Sequence, residues 1–96
     1  MAILSFADGE AESFFCEGVL PRKRAWGLLA AIVRRKLDVI HYAGDVRDLA
    51  AVPGNRLEKL KGDLGHLHSI RINDQWRITF QWTDLGAAAV RIVDYH

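Results

Sequence analysis

Three groups of residues in this chain have side chains suited to moving a proton or gripping a phosphate. Asp94-Tyr95-His96 bring a carboxylate, a phenol and an imidazole together, all usable in proton transfer. An unperturbed histidine also titrates near neutral pH. Terminal residues ordinarily fray, but the alternating pattern before them runs to Val93, so the tripeptide would extend directly from an ordered strand. Arg77 lies within Trp76-Arg77-Ile78-Thr79-Phe80. There, alternation turns its side chain away from the core face, and a guanidinium on a rigid sheet can grip a phosphate with two hydrogen bonds. Taken alone, the same pattern also describes a solvated strand residue. Lys61 in Leu60-Lys61-Gly62-Asp63 presents an ammonium beside a backbone free to approach a ligand closely. An ordinary surface turn has the same composition.

Other polar residues carry less. His66 and His68 are two apart, with no neighbouring Cys and no evident third ligand, so neither a metal site nor a cofactor is expected. Cys16 sits among Phe14, Phe15 and Glu17 without a nearby base and is expected to be a small buried or half-buried helix residue. His41-Tyr42 close a helix and are assigned no chemistry. Glycine-rich phosphate loops, Walker patterns and Ser-centred nucleophile elbows are missing from the sequence.

The elements that must position these groups follow from periodicity. Ile3–Phe6 suits an opening strand. Asp8 can cap a helix that carries Ala11, Phe14 and Phe15 and stops at Gly18. A second helix is expected from Pro21, with Trp26, Leu29, Val33, Leu37 and Ile40 as one apolar stripe and Arg34, Arg35 and Lys36 late, where cations suit the helix dipole. Val46–Ala51 could form a brief helical turn before Pro53-Gly54-Asn55. From Leu57 the period becomes two. His68, Ile70 and Ile72 alternate with polar residues, as do Trp76, Ile78, Phe80 and Trp82, and then Val90 and Ile92. Two turns, Asn73-Asp74-Gln75 and Asp84-Leu85-Gly86, join these runs into an antiparallel meander. The order β-α-α-β-β-β-β implies an α+β fold, a small antiparallel sheet with two N-terminal helices packed on it.

Length and composition bound the class. Ninety-six residues, half of them hydrophobic, suit one domain over 1–96 with a modest core. Apolar runs long enough to span a membrane are missing, and the opening Met1–Asp8 lacks the basic start of a secretion signal. One Cys fits a reducing cytosol. The net charge of +1 conceals a segregation. Asp8, Glu10, Glu12 and Glu17 are the only charges in residues 1–20, whereas Arg22, Lys23, Arg24, Arg34, Arg35 and Lys36 fill residues 21–36 without an acid. Arg56, Lys59 and Lys61 form a further group. A local cationic face matters more to phosphate than net charge, since fields decay within about 8–10 Å at physiological salt. Solvated helix faces are also rich in Arg and Lys.

In combination, Leu57-Glu58-Lys59-Leu60-Lys61-Gly62-Asp63, Ser69-Ile70, Ile72-Asn73, Gln75-Trp76-Arg77-Ile78-Thr79-Phe80 and Val93-Asp94-Tyr95-His96 resemble the HigB toxins of the RelE/ParE superfamily. The resemblance covers essentially the whole chain. It implies a cytoplasmic, ribosome-dependent messenger-RNA endonuclease neutralised by a HigA-like helix-turn-helix antitoxin, the complex binding operator DNA through the antitoxin. It also implies Lys61 and Arg77 as cationic catalytic groups and Asp94, Tyr95 and His96 as a terminal catalytic cluster. Some members carry a His just before the Leu-Lys-Gly-Asp motif, where this chain has Glu58. Either Glu58 takes over a proton-transfer or orienting role, or the site leans more on the terminus.

RNA carries its own nucleophile in the 2′-hydroxyl, so such cleavage needs no metal, only a base, an acid, alignment and compensation for phosphoryl charge. The cations Arg22, Lys23, Arg24, Arg34, Arg35, Lys36, Arg56 and Lys59 would then address messenger and ribosomal RNA phosphates. Two alternatives remain: a non-catalytic ParE-like toxin that poisons DNA gyrase, and a small nucleic-acid-binding regulatory module.

Overall fold

The computed structural model describes residues 2–21 and 25–94. Arg22, Lys23, Arg24, Tyr95 and His96, all expected above to be functional, lie outside the described residues.

Eight elements follow in chain order: β1 (Ala2–Ile3), α1 (Gly9–Glu17), α2 (Ala30–Tyr42), α3 (Val46–Ala50), β2 (Glu58–Lys59), β3 (His68–Arg71), β4 (Trp76–Thr83) and β5 (Gly86–Asp94). The strands form one sheet in the order β1-β5-β4-β3-β2. β2 to β5 are antiparallel neighbours, as the meander predicted, whereas β1 adds in parallel to β5 and makes the sheet mixed. The expected α+β architecture holds, with the brief turn at 46–50 realised as a third, short helix.

Local chemistry explains the element ends. Asp8 caps α1: one carboxylate oxygen accepts the Glu10 and Ala11 N–H groups at 3.1 and 3.3 Å. Its other oxygen accepts the Ile92 N–H at 3.3 Å, which ties the helix start to β5. Gly18, at φ +73, adopts the left-handed conformation that ends α1, and its N–H reaches the Phe14 carbonyl.

The second helix begins later than expected. α2 starts at Ala30, after a 3₁₀ turn over Gly27–Leu29. Gly27 is a poor helix former, and Trp26 before it is anchored edge-on against Phe14, ring centroids 5.1 Å apart. Arg34, Arg35 and Lys36 consequently fall in the middle of α2, and His41 occupies the last turn. Cys16, expected to be at least half-buried, is exposed. Its neighbour Phe14 takes the inward position, and two helical steps turn Cys16 outward.

Cross-strand register places Ile70, Ile78 and Ile92 in one row. With Phe80 and Val90 they form the sheet half of the core, and Ala11, Phe14, Trp26, Val33, Leu37 and Ile40 supply the helical half. The opposite face carries a second row, because residues paired across a ladder point to the same side. Glu58, Ser69, Thr79 and Arg91 lie in that row, beside a parallel one of Arg71, Arg77 and Val93. Among the described residues no helix is long and apolar enough to cross a membrane.

Candidate active site

Arg77 stands on β4, the middle strand of the five. Alternation correctly turns it away from Ile78 and the helices, but it is not solvated: only 6% of it is exposed. Its side chain lies across β3. Nε donates to the Ser69 hydroxyl at 2.8 Å, and Nη2 donates to the carbonyls of Arg56 at 2.6 Å and Ser69 at 3.3 Å. Ser69 is itself fully buried. The guanidinium is therefore held in one orientation by the sheet and by the loop before β2. A planar fork suits this role, whereas an ammonium could not satisfy the same partners at once.

The acceptor on Arg56 comes from an unusual backbone. Arg56 has φ +45, in the left-handed region that L-residues seldom occupy. Just before it, Asn55 is fully buried and accepts a hydrogen bond from Lys36 Nζ at 2.5 Å. Lys36 is therefore not among the solvent-facing cations of α2. Burial, reinforced by Arg35, Arg71 and Arg77, holds its ammonium below the ordinary lysine range. These contacts lie outside the reach of pattern reading. Ser69, diagonal to Arg77 across the β3–β4 ladder, and the Pro53-Gly54-Asn55 turn were the signals of them in the sequence.

The remaining candidates spread around this centre. Glu58 is exposed on the edge strand β2, paired with Ser69 and on the same face as Arg77, two strand spacings or roughly 10 Å from β4. Lys61 is exposed and precedes a 3₁₀ turn over Gly62–Leu64, its carbonyl accepting the Leu64 N–H. Asp94 pairs with Trp76 at the end of β5, in step with Ile92 and on the face opposite Arg77. Its carboxylate accepts from the Gln75 amide at 3.0 Å. Arg34 is engaged with Asp38, with the Phe15 carbonyl and over the Phe15 ring. Arg35, Arg56 and Lys59 are exposed. No group of three or more potential metal ligands occurs among the described residues.

His68 belongs to the other face. It stacks on Phe80, centroids 6.2 Å apart, and its Nδ1 is buried without a hydrogen-bond partner among the described residues. Burial, then the charge of Lys59, lowers its pKa from the ordinary 6.5. The unfolded chain thus takes up a proton at higher pH than the folded one, so stability falls as pH drops through 6.5 and levels off below the folded value. His68→Phe, which keeps the ring on Phe80, should flatten the melting temperature between pH 7 and 5 relative to wild type. Parallel pH profiles for the two proteins would refute this origin.

The arrangement offers a preorganised guanidinium on a central strand, with a carboxylate and an ammonium on the flanking edge. A family model of RelE-like toxins, the HigB toxins of type II toxin–antitoxin systems, matches residues 4–96. Toxin HigB-1 of Vibrio cholerae serotype O1 (strain ATCC 39315 / El Tor Inaba N16961) is 38% identical over 93 residues, covering 97% of this chain and 96% of that protein. An uncharacterised protein of Haemophilus influenzae is 35% identical over 54 residues, 56% of this chain and 54% of its own length. The chain belongs to the HigB-like toxins, RelE-like toxins of type II toxin–antitoxin systems, and its partner is accordingly an antitoxin.

Proposed function

We propose that this toxin is a ribosome-dependent messenger-RNA endonuclease, acting as one domain in the cytoplasm and neutralised by a HigA-like antitoxin through which the pair also contacts operator DNA. The observation that carries the proposal is the fixed Arg77 guanidinium on the central strand of a RelE-like toxin. In the reaction, the 2′-oxygen attacks the adjacent phosphorus as its proton passes to a base. The bond to the 5′-oxygen breaks, and that oxygen takes a proton from an acid. The products are a 2′,3′-cyclic phosphate and a 5′-hydroxyl, and no metal is needed for the balance. Arg77 and Lys61 would neutralise the charge that accumulates on the phosphoryl oxygens. Proton transfer would fall to His96, with Glu58 as base or orienting group and Tyr95 aligning the nucleotide; Asp94, on the face away from Arg77, would have to reach the phosphate around the end of β5. Exposed Arg35, Arg56 and Lys59 would meet RNA phosphates.

A few cations spread around Arg77 do not by themselves align a flexible single strand, and a ribosome holding the message would supply that alignment. Mapping RNA 5′ ends after induction tests the proposal. New 5′-hydroxyl ends inside translated codons are expected. Intact messages with double-strand DNA breaks would instead indicate gyrase poisoning. Lys61→Ala should slow cleavage by roughly ten- to a hundredfold, the worth of one charged hydrogen bond, while antitoxin affinity stays near wild type. Equal losses in both would assign Lys61 a structural role.

A further inference from the structure

Asn55 has every polar group engaged. Its Oδ1 accepts from Lys36 Nζ, its Nδ2 donates to the Leu49 carbonyl at 3.0 Å, and its backbone N–H donates to the Val52 carbonyl at 3.3 Å. Its backbone carbonyl accepts the Arg71 N–H at 2.6 Å. The residue is thereby tied to α2, to the end of α3 and to β3. Arg56 follows at once, and its left-handed φ turns its carbonyl onto Arg77 Nη2. Strained backbone of this kind persists only where surrounding contacts over-determine it. Asn55 supplies those contacts, and Lys36 is the one charged side chain among them. Burying an ammonium on α2 is unfavourable, and an apolar side chain of similar length would fill the space without that penalty.

We infer that Lys36 and Asn55 are positioning residues for Arg77: the Lys36–Asn55 hydrogen bond holds the turn whose Arg56 carbonyl orients the guanidinium. The effect travels from the middle of α2 to the central strand through three successive contacts, Lys36 to Asn55, Asn55 to the Arg56 turn, and the Arg56 carbonyl to Arg77. It rests on Arg77 acting in RNA cleavage as proposed above.

The test compares the full-length chain with Lys36→Met and Lys36→Arg. One readout is the Arg77 Nε–H resonance and its exchange with water in the free protein. The other is cleavage of ribosome-bound messenger, with kcat separated from the half-saturating ribosome concentration. Lys36→Met should move the Arg77 resonance and speed its exchange by about tenfold or more, as expected of a local opening. Its kcat should fall by about tenfold, since small misplacements of a catalytic group carry such losses, with half-saturation unchanged. Lys36→Arg, which keeps a donor for Asn55, should restore both. An unmoved Arg77 resonance in Lys36→Met overturns the inference, and so does a moved resonance with unchanged kcat. A loss confined to half-saturation also overturns it, by making Lys36 an ordinary RNA contact. If Lys36→Met does not fold, Lys36→Gln, which falls one bond short of Asn55, takes its place, and the same results support or overturn the inference. A wild-type chain that cleaves no ribosome-bound message would overturn the proposed function instead, and the Arg77 resonance then decides the linkage by itself.

Discussion

Arg77→Ala is expected to abolish growth arrest, with cleavage reduced by roughly a hundred- to a thousandfold, as for removal of a preorganised charge-stabilising donor. The loss has two sources. The guanidinium charge disappears from the central strand, and the part-buried Arg56 carbonyl loses a partner, as does the Ser69 hydroxyl, which burial keeps from water. The second source should also lower stability by about 1–3 kcal/mol, the usual penalty for buried unsatisfied groups. Arg77→Lys separates the two. It keeps the charge, but a single ammonium cannot reach Ser69 and Arg56 in the same fork, so most of the activity should still be lost. Antitoxin binding by the purified variants checks that they remain folded. A folded Arg77→Ala protein that still arrests growth would remove Arg77 from the mechanism.

Gly86→Ala is expected to be strongly destabilising although it adds a single methyl group. Gly86 opens β5 at φ +142, where side chains are strained, and it pairs with Ala2 in the parallel ladder. A Cβ added there would collide with the Ala2 carbonyl oxygen, so backbone rather than a flexible side chain would have to move. Strain and overpacking together should cost roughly 2–5 kcal/mol, which lowers the melting temperature by at least about 10 °C in a domain of this size. Release of β1 should be visible locally. The Leu4 N–H bonds the Ala87 carbonyl at 2.7 Å, and the Ile3 N–H bonds His41 Nδ1 at 3.2 Å. Both amides should exchange faster in the variant. A melting temperature unchanged within a few degrees would show that β1 does not approach β5 this closely. Because β1 and the β2 edge lie at opposite sides of the sheet, a folded Gly86→Ala protein should retain more activity than Arg77→Ala.

The contrast between these two positions shows what pattern reading can reach. Alternation in 76–82 correctly turned Ile78 and Phe80 inward and Arg77 away from them, because side-chain direction along a strand is a local property with a period of two. The caps at Asp8 and Gly18 were legible for the same reason, since capping depends on residues within one helical turn. The start of α2 was not legible. An apolar stripe continues through Trp26 and Leu29 whether or not the backbone is α-helical, and it was the anchoring of Trp26 on Phe14 that delayed the helix to Ala30.

The sequence by itself therefore determined the α+β order, the two faces of the central strand and the set of residues that place this chain among the HigB-like toxins. Only the tertiary structure decided that β1 closes the sheet in parallel against Gly86. It also decided that Asp94 pairs with Trp76 and so lies on the sheet face away from Arg77, and that Lys36 is buried on Asn55. It decided, finally, that Arg77 is gripped by Ser69 and by the carbonyl of Arg56. Propensity, capping and alternation act between residues a few positions apart. Asn55 lies 19 residues from Lys36, and Ser69 and Arg56 lie 8 and 21 residues from Arg77. Which cation is buried and which meets solvent is settled by how the loop before β2 folds onto the sheet edge.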